Sequence, residues 1–389
     1  MLKASPSARA ETSAPAAGRL DTLTGLRFYA ALVVVLFHLS LNRFFLGDDP
    51  AVEPLQFALK NGGWFGVTFF FVLSGFVLTW SARPGDTPGR FLWRRTAKIV
   101  PNHLVMFAVA LAVAGLGATA MWEAGANLLL LHAWIPSDTA FFSVNNPSWS
   151  LSAELFFYAM FPFALPVIAK VKPNRLIPLG LALVAVVIAL PLAASLLPGG
   201  EAFGGRHAQS PLFESSIFQV WSVYALPPVR FLEFAVGMIA ARAVKEGVLP
   251  RIPLGAAIAL TVAGYGLSLY VPLLWQLDAV FVLPVALLVI AAAQAPHPPA
   301  ALAGPAAVRL GELSFALYMV HDVVLTATRT LLGDSTVDRP GAVLLGAGVL
   351  AAGLGAAWLL WNLVEVPANR ALRALPSRSK ETEPRKDTE

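Results

Sequence analysis

The sequence predicts an all-α polytopic membrane protein of about ten transmembrane helices with both termini in the cytoplasm, and three observations carry that prediction. Hydrophobic residues make up 57% of the chain and charged residues only 13%, far below the charged share of soluble domains, about 25%. Apolar runs of roughly 20 residues, the length that crosses a bilayer, recur along the whole chain. With the N-terminus inside, cytoplasmic segments hold 21 Lys and Arg against four outside, Arg43, Lys60, Arg206 and Arg339, which is the bias that orients membrane proteins. The net charge of +5 is then a matter of topology and implies no nucleic-acid partner. With no cysteine in the chain, disulfides, thiolate metal sites and a cysteine nucleophile are excluded.

In chain order, residues 1–20 are rich in Ala, Ser, Pro and Arg and read as a disordered cytoplasmic tail rather than a targeting signal. Residues 21–370 form a single transmembrane domain, and 371–389 a second, mostly disordered cytoplasmic tail. The spans are expected at 23–41, 62–81, 99–119, 148–169, 176–197, 226–244, 252–272, 274–294, 310–332 and 341–364. The apolar run 127–135 is too short to cross and is bounded by Pro136, so it reads as an interfacial or re-entrant piece. Two outer loops, 119–147 and 198–225, are too short to be domains. No internal repeat is visible.

The first span, LTGLRFYAALVVVLFHLSL, carries Arg27 and His38. Eleven steps of about 100° return to within roughly 20° of the start, so both lie on one helix face, roughly 16 Å apart along the axis. Ionisable side chains in hydrocarbon face protein or a water-filled cavity, so this stripe is expected to line something. In the second span Gly63, Gly66, Ser74 and Gly75 permit close helix approach, and Ser74 with Gly75 would leave room for a ligand chain beside the His38 helix. Arg90, Arg94, Arg95 and Lys98 then form a basic cluster running into the third span. It serves either topology alone or as a clamp for a phosphate-bearing cosubstrate, with 94 and 98 or 95 and 98 on one face.

The fourth span opens with SWSLSAE, placing Ser150 and Glu154 on one side near the outer face, with Trp149 at interface depth. Glu154 is either a capping carboxylate or a functional one. Arg230 and Glu233, three apart in the sixth span, either neutralise each other or meet substrate. The ninth span carries Glu312 and, near mid-membrane, His321 and Asp322, which as consecutive helix residues point in different directions and form no dyad. His103, His132, His207 and His297 show no metal-ligand spacing, so no metal is expected.

Together these motifs resemble the acyltransferase 3 family of integral-membrane acyltransferases. The likeness rests on R-x10-H at Arg27 and His38, the Gly62–Phe76 segment, the basic motif at Arg95 and Lys98 before Pro101, SWSLSAE, the Arg230–Gly237 segment, LGELSFALYMVH ending at His321, and Glu365-x-Pro367. They occur in the family's order and cover about residues 21–370. Lys98 stands where the family usually has arginine. It keeps the charge but loses the planar fork, so phosphate binding there would either be looser or lean on Arg94. No esterase-like domain of the kind some members carry is expected at the C-terminus, so the chain resembles the stand-alone type.

The resemblance implies acyl transfer, often acetyl, from cytoplasmic acyl-CoA to a hydroxyl of a surface or exported polysaccharide, a lipid-linked glycan or a glycosylated metabolite. The expected location is the bacterial cytoplasmic (inner) membrane, with no tightly bound cofactor; a homodimer stays open. His38 would be the catalytic base, with Arg27 on the path to it and Glu154 orienting it. An acyl-histidine intermediate and direct transfer are both compatible with the sequence. Arg90, Arg94, Arg95, Lys98 and Ser74 would hold the acyl-CoA. Trp149, Ser150, Arg230, Glu233 and His321 would meet the acceptor. The alternative is a transporter or flippase whose buried charges line a substrate path, and a third reading is an inactive scaffold.

Overall fold

The computed structural model describes residues 20–41, 49–83, 85–115, 117–199, 215–333, 335 and 337–374. Of the expected tails at 1–20 and 371–389, residues 1–19 and 375–389 lie outside the described residues, as does much of the 198–225 loop, while 371–374 are helical. Among the described residues ten helices of thirteen or more residues follow one another: α1 Asp21–Leu41, α2 Gly62–Trp80, α3 Pro88–Ala114, α4 Trp149–Ala169 and α5 Pro173–Ser195, then α6 Pro227–Lys245, α7 Leu254–Ser268, α8 Val282–Gln294, α9 Pro305–Leu332 and α10 Arg339–Leu360. The protein is an all-α polytopic membrane protein.

Every expected span overlaps one of these helices, but among the described residues eight have the length and hydropathy to cross a bilayer unaided, and α7 and α8 are shorter. Apolar composition made 252–272 and 274–294 look continuous. Residues 269–281 instead form turns around the short helix Leu273–Gln276, and Asp278 in that segment is buried against Arg230.

Local chemistry sets the helix ends. Thr87 caps α3, its hydroxyl accepting from Arg90 N, with Pro88 at the first helical position, where a missing N–H costs nothing. Asp338 does the same for α10, accepting from Gly341 N at 2.9 Å. At the opposite end of α2, Lys245 of α6 donates to the carbonyls of Thr79 and Trp80 at 3.1 and 2.7 Å, satisfying acceptors that a helix C-terminus leaves open. One residue of the basic bias therefore has a structural task.

The most buried of the long helices is α2. It packs on α1, α6 and α8, while α1 also packs on α9 and α9 on α3 and α10. A Cβ at Gly75 would lie 1.9 Å from the Phe234 carbonyl oxygen, and one at Gly237 1.9 Å from that of Val72. The contact between α2 and α6 is thus backbone to backbone, as small residues allow between membrane helices. Gly75 is consequently filled by α6 and leaves no room for a ligand. Gly63 and Gly66 receive Phe37 and Val34 of α1.

The run 127–135 forms no single helix. Helix Met121–Leu128 ends in a turn, followed by a single 3-10 turn at His132–Trp134. Buried polar groups fasten it: Asn127 donates to Ser143 O and Ser148 Oγ, His103 Nε2 lies 3.0 Å from Asn127 O, and His132 Nε2 lies 3.2 Å from Ser148 Oγ. These histidines serve the fold of the loop.

Candidate active site

Five helices present side chains to one cavity of about 140 Å³. Its wall includes Arg27 of α1, Phe70 and Ser74 of α2, Arg95 and Lys98 of α3, Ser150, Glu154 and Tyr158 of α4, and Phe315 and Tyr318 of α9. The helical period explains who faces in: 150, 154 and 158 form one stripe, as do 70, 74 and 77, 95 and 98, and 315 and 318.

Three cations share this wall. Among the described residues, none of Arg27, Arg95 and Lys98 makes an ion pair within 4 Å. Arg95 lies over the Phe91 ring and Lys98 over Phe315, each at 5.6 Å, and the buried Arg95 Nε has no hydrogen-bond partner. Glu154 is the carboxylate that lines the same cavity. Glu365, in the π-helical turn that follows α10, is buried. Cations withdrawn from water are normally paired, so three partly buried ones without an ion pair leave this wall able to receive an anion.

Glu154 is tied into the same wall. Its Oε1 accepts from Tyr158 OH at 2.5 Å and from Ser74 Oγ at 3.3 Å. Ser150 Oγ donates to Pro147 O and lies 2.9 Å from Tyr318 OH. Tyr318 joins the cavity to a second group: its ring is in the wall, and its carbonyl oxygen lies 2.7 Å from His321 Nδ1. His321 Nε2 is in turn 3.3 Å from His38 Nδ1, which also lies 2.9 Å from Val34 O. His38 itself is not among the residues lining the cavity.

The sequence profile of the acyltransferase 3 family, an acyltransferase domain, matches residues 20–362. The chain belongs to the acyltransferase 3 family. Acyltransferase MdmB of Streptomyces mycarofaciens is 36% identical over 373 residues, covering 92% of this chain and 94% of that protein. The putative peptidoglycan O-acetyltransferase YrhL of Bacillus subtilis is 29% identical over 46% of this chain and 29% of its own length. The exopolysaccharide production protein ExoZ of Rhizobium meliloti is 28% identical over 52% of this chain and 58% of its own. No solved structure matches. This member of the acyltransferase 3 family is a multi-pass membrane enzyme, an acyltransferase, and the transporter and scaffold readings give way.

The enzyme brings Arg27, Ser74, Arg95, Lys98, Ser150 and Glu154 together at its cavity. Other expected members lie elsewhere. Arg90 is exposed, and Arg94 turns outward to pair with Asp86, one bond of the pair being Nη1 to Oδ1 at 3.0 Å. Lys98 therefore has Arg95 and Arg27 beside it rather than Arg94. Trp149 does not line the cavity: it is buried among Phe71, Phe141 and Tyr224.

Arg230 and Glu233 are fully buried away from the cavity. Arg230 pairs with Glu233 at 3.0 Å and with Asp278 at 3.2 Å, and Thr68 donates to Glu233 at 2.9 Å. They neutralise each other, as their spacing allowed, and serve the α2–α6 contact rather than an acceptor. Glu154 has its hydrogen bonds with Ser74 and Tyr158; among the described residues it makes none to His38. The place expected for Glu154 beside His38 is held by His321.

Sequence reasoning missed Tyr158 and Tyr318 as wall residues, and Asp278 as a partner of Arg230. Each left a signal: Tyr158 is one turn from Glu154, Tyr318 one turn from His321, and Asp278 is an acid inside an apolar run.

Proposed function

We propose that this protein is an O-acyltransferase of the bacterial cytoplasmic membrane that moves an acyl group, acetyl in the first instance, from cytoplasmic acyl-CoA to a hydroxyl of a carbohydrate or glycosylated acceptor. The observation that carries this reading is the cavity wall in which Arg27, Arg95 and Lys98 stand without ion pairs among the described residues. Phosphates of the acyl-CoA are the anions that such a wall suits: arginine forks take phosphate oxygens in pairs, and lysine adds a point charge. The polysaccharide and peptidoglycan chemistry in the names of two relatives supports a carbohydrate hydroxyl as acceptor. The basic end of the bundle is assigned to the cytoplasm on the distribution of Lys and Arg.

In this scheme the acyl-CoA lies with its phosphates at Arg95, Lys98 and Arg27, and its thioester reaches past Tyr318 towards the His38 end of α1. His38 takes the proton of the acceptor hydroxyl as the oxygen attacks the thioester carbonyl carbon. The C–O bond forms, the C–S bond breaks, and the departing thiolate of CoA takes up the proton that His38 holds. Glu154, held by Ser74 and Tyr158, fixes the shape of the wall and offsets part of the cationic charge.

The test uses the full chain in lipid nanodiscs, acetyl-CoA, and a carbohydrate extract from a strain lacking the gene, with release of CoA thiol as readout. His38→Ala is expected to abolish transfer while acetyl-CoA still binds. Normal turnover by His38→Ala would sink the assignment of the base, and absence of any acetyl-CoA binding by the wild-type protein would sink that of the donor.

A further inference from the structure

His38 of α1 and His321 of α9 are 283 residues apart in sequence and meet with ring centroids 4.8 Å apart. Their protonation follows from their neighbours. Val34 O lies 2.9 Å from His38 Nδ1, and Tyr318 O lies 2.7 Å from His321 Nδ1. A backbone carbonyl can only accept, so each Nδ1 carries its proton. In a neutral ring the other nitrogen then holds a lone pair. The lone pair of His321 Nε2 therefore faces the Nδ1–H of His38 across 3.3 Å. A second proton on His321 would set N–H against N–H at that distance, so the arrangement is self-consistent when His321 is neutral.

We propose that His321 is the positioning residue of His38: its Nε2 accepts the Nδ1–H of His38, so that Nε2 of His38 is the nitrogen able to take a proton. This rests on His38 being the base, as proposed above. Two features make the role fit. Val34 O is also the acceptor for the helix's own hydrogen bond from residue 38, so it offers His38 only a shared contact, and His321 adds an acceptor from another helix. When His38 takes up the hydroxyl proton, its Nδ1–H becomes a charged donor, and a hydrogen bond from a charged donor is roughly twice as strong as a neutral one. The contact thus strengthens as charge develops, which is what raises kcat rather than substrate affinity. A neutral histidine does here what a carboxylate does in hydrolytic triads. Its side chain is 2% exposed, where an ionised partner would itself need a counter-charge.

The experiment compares His321→Leu, which removes the acceptor, with His321→Gln, whose amide oxygen sits near the place of Nε2 and whose NH₂ can still donate. Both are assayed as full chain in nanodiscs with acetyl-CoA and the same carbohydrate extract, beside His38→Ala. The expected result is a fall in kcat of about tenfold or more for His321→Leu, a share of the 10²–10⁴ that a base contributes, with KM for acetyl-CoA unchanged and most of kcat restored by His321→Gln. Wild-type kcat in His321→Leu with His38→Ala inactive would overturn the proposal and leave the base standing. So would equal losses in the Leu and Gln variants. Turnover by His38→Ala would instead remove the base reading beneath it.

Discussion

Arg94 and Arg95, adjacent in α3, face different sides: Arg94 is paired with Asp86 on the exposed side, and Arg95 is in the cavity wall with its Nε buried and without a partner. Neighbours on a helix are about 100° apart, so a basic run of this kind always splits between two faces. Arg95→Ala is expected to weaken acetyl-CoA binding by about tenfold or more, since hydrogen bonds to charged groups contribute about 1.5–3 kcal/mol. Arg94→Ala should leave binding within about twofold, the scale of an exposed pair. Titration of nanodisc-embedded protein with acetyl-CoA separates the two, and equal losses would show that the cluster acts only as a diffuse field.

The Arg94–Asp86 pair has its own signature in pH. The hydrogen bond from Arg94, more than its bare charge, lowers the pKa of the Asp86 carboxyl below its ordinary value. A lowered acid contributes stability above its unfolded pKa and loses it as pH falls through the folded value. The difference in melting temperature between wild type and Asp86→Asn should therefore be constant from neutral pH down to about 5 and shrink from the ordinary aspartate range downward. The effect is small, at most about 1 kcal/mol for a pair this exposed. A difference that instead grew on acidification would contradict the assignment.

Much of this molecule is legible in its residues, and the reason is periodicity. The shared side of Ser150 and Glu154 can be drawn before any coordinates exist, and so can the shared face of Arg27 and His38, because both follow from 3.6 residues per turn. Pairings between distant helices are different. Nothing local to His321 says that it meets His38, and nothing in the 274–294 run says that Asp278 turns back to Arg230; both depend on how helices are arranged. The same holds for Gly75, where a small residue announces a close approach without naming the helix that makes it. Trp149 misleads because tryptophan suits both a bilayer interface and a core.

The cluster of Arg230, Glu233 and Asp278 allows a test of what holds α6 in place. Arg230 is fully buried, 3.0 Å from Glu233 and 3.2 Å from Asp278, and lies over the rings of Phe71 and Tyr224 at 5.1 and 5.7 Å. Removing one partner of a buried pair leaves a charge without compensation and costs about 3–5 kcal/mol, whereas replacing all partners by apolar residues of similar volume is often neutral. Arg230→Met should therefore lower the melting temperature of the detergent-solubilised protein sharply, because two carboxylates lose their guanidinium. The triple variant Arg230→Met, Glu233→Leu, Asp278→Leu should recover most of that loss, with the Thr68 hydroxyl turning to a backbone carbonyl one helical turn back. Recovery would show that the cluster is a structural element that a well-packed apolar core can replace. Activity restored along with stability would confirm that these residues lie outside the chemistry. A stable but inactive triple variant would return Arg230 and Glu233 to the acceptor site from which their burial now removes them.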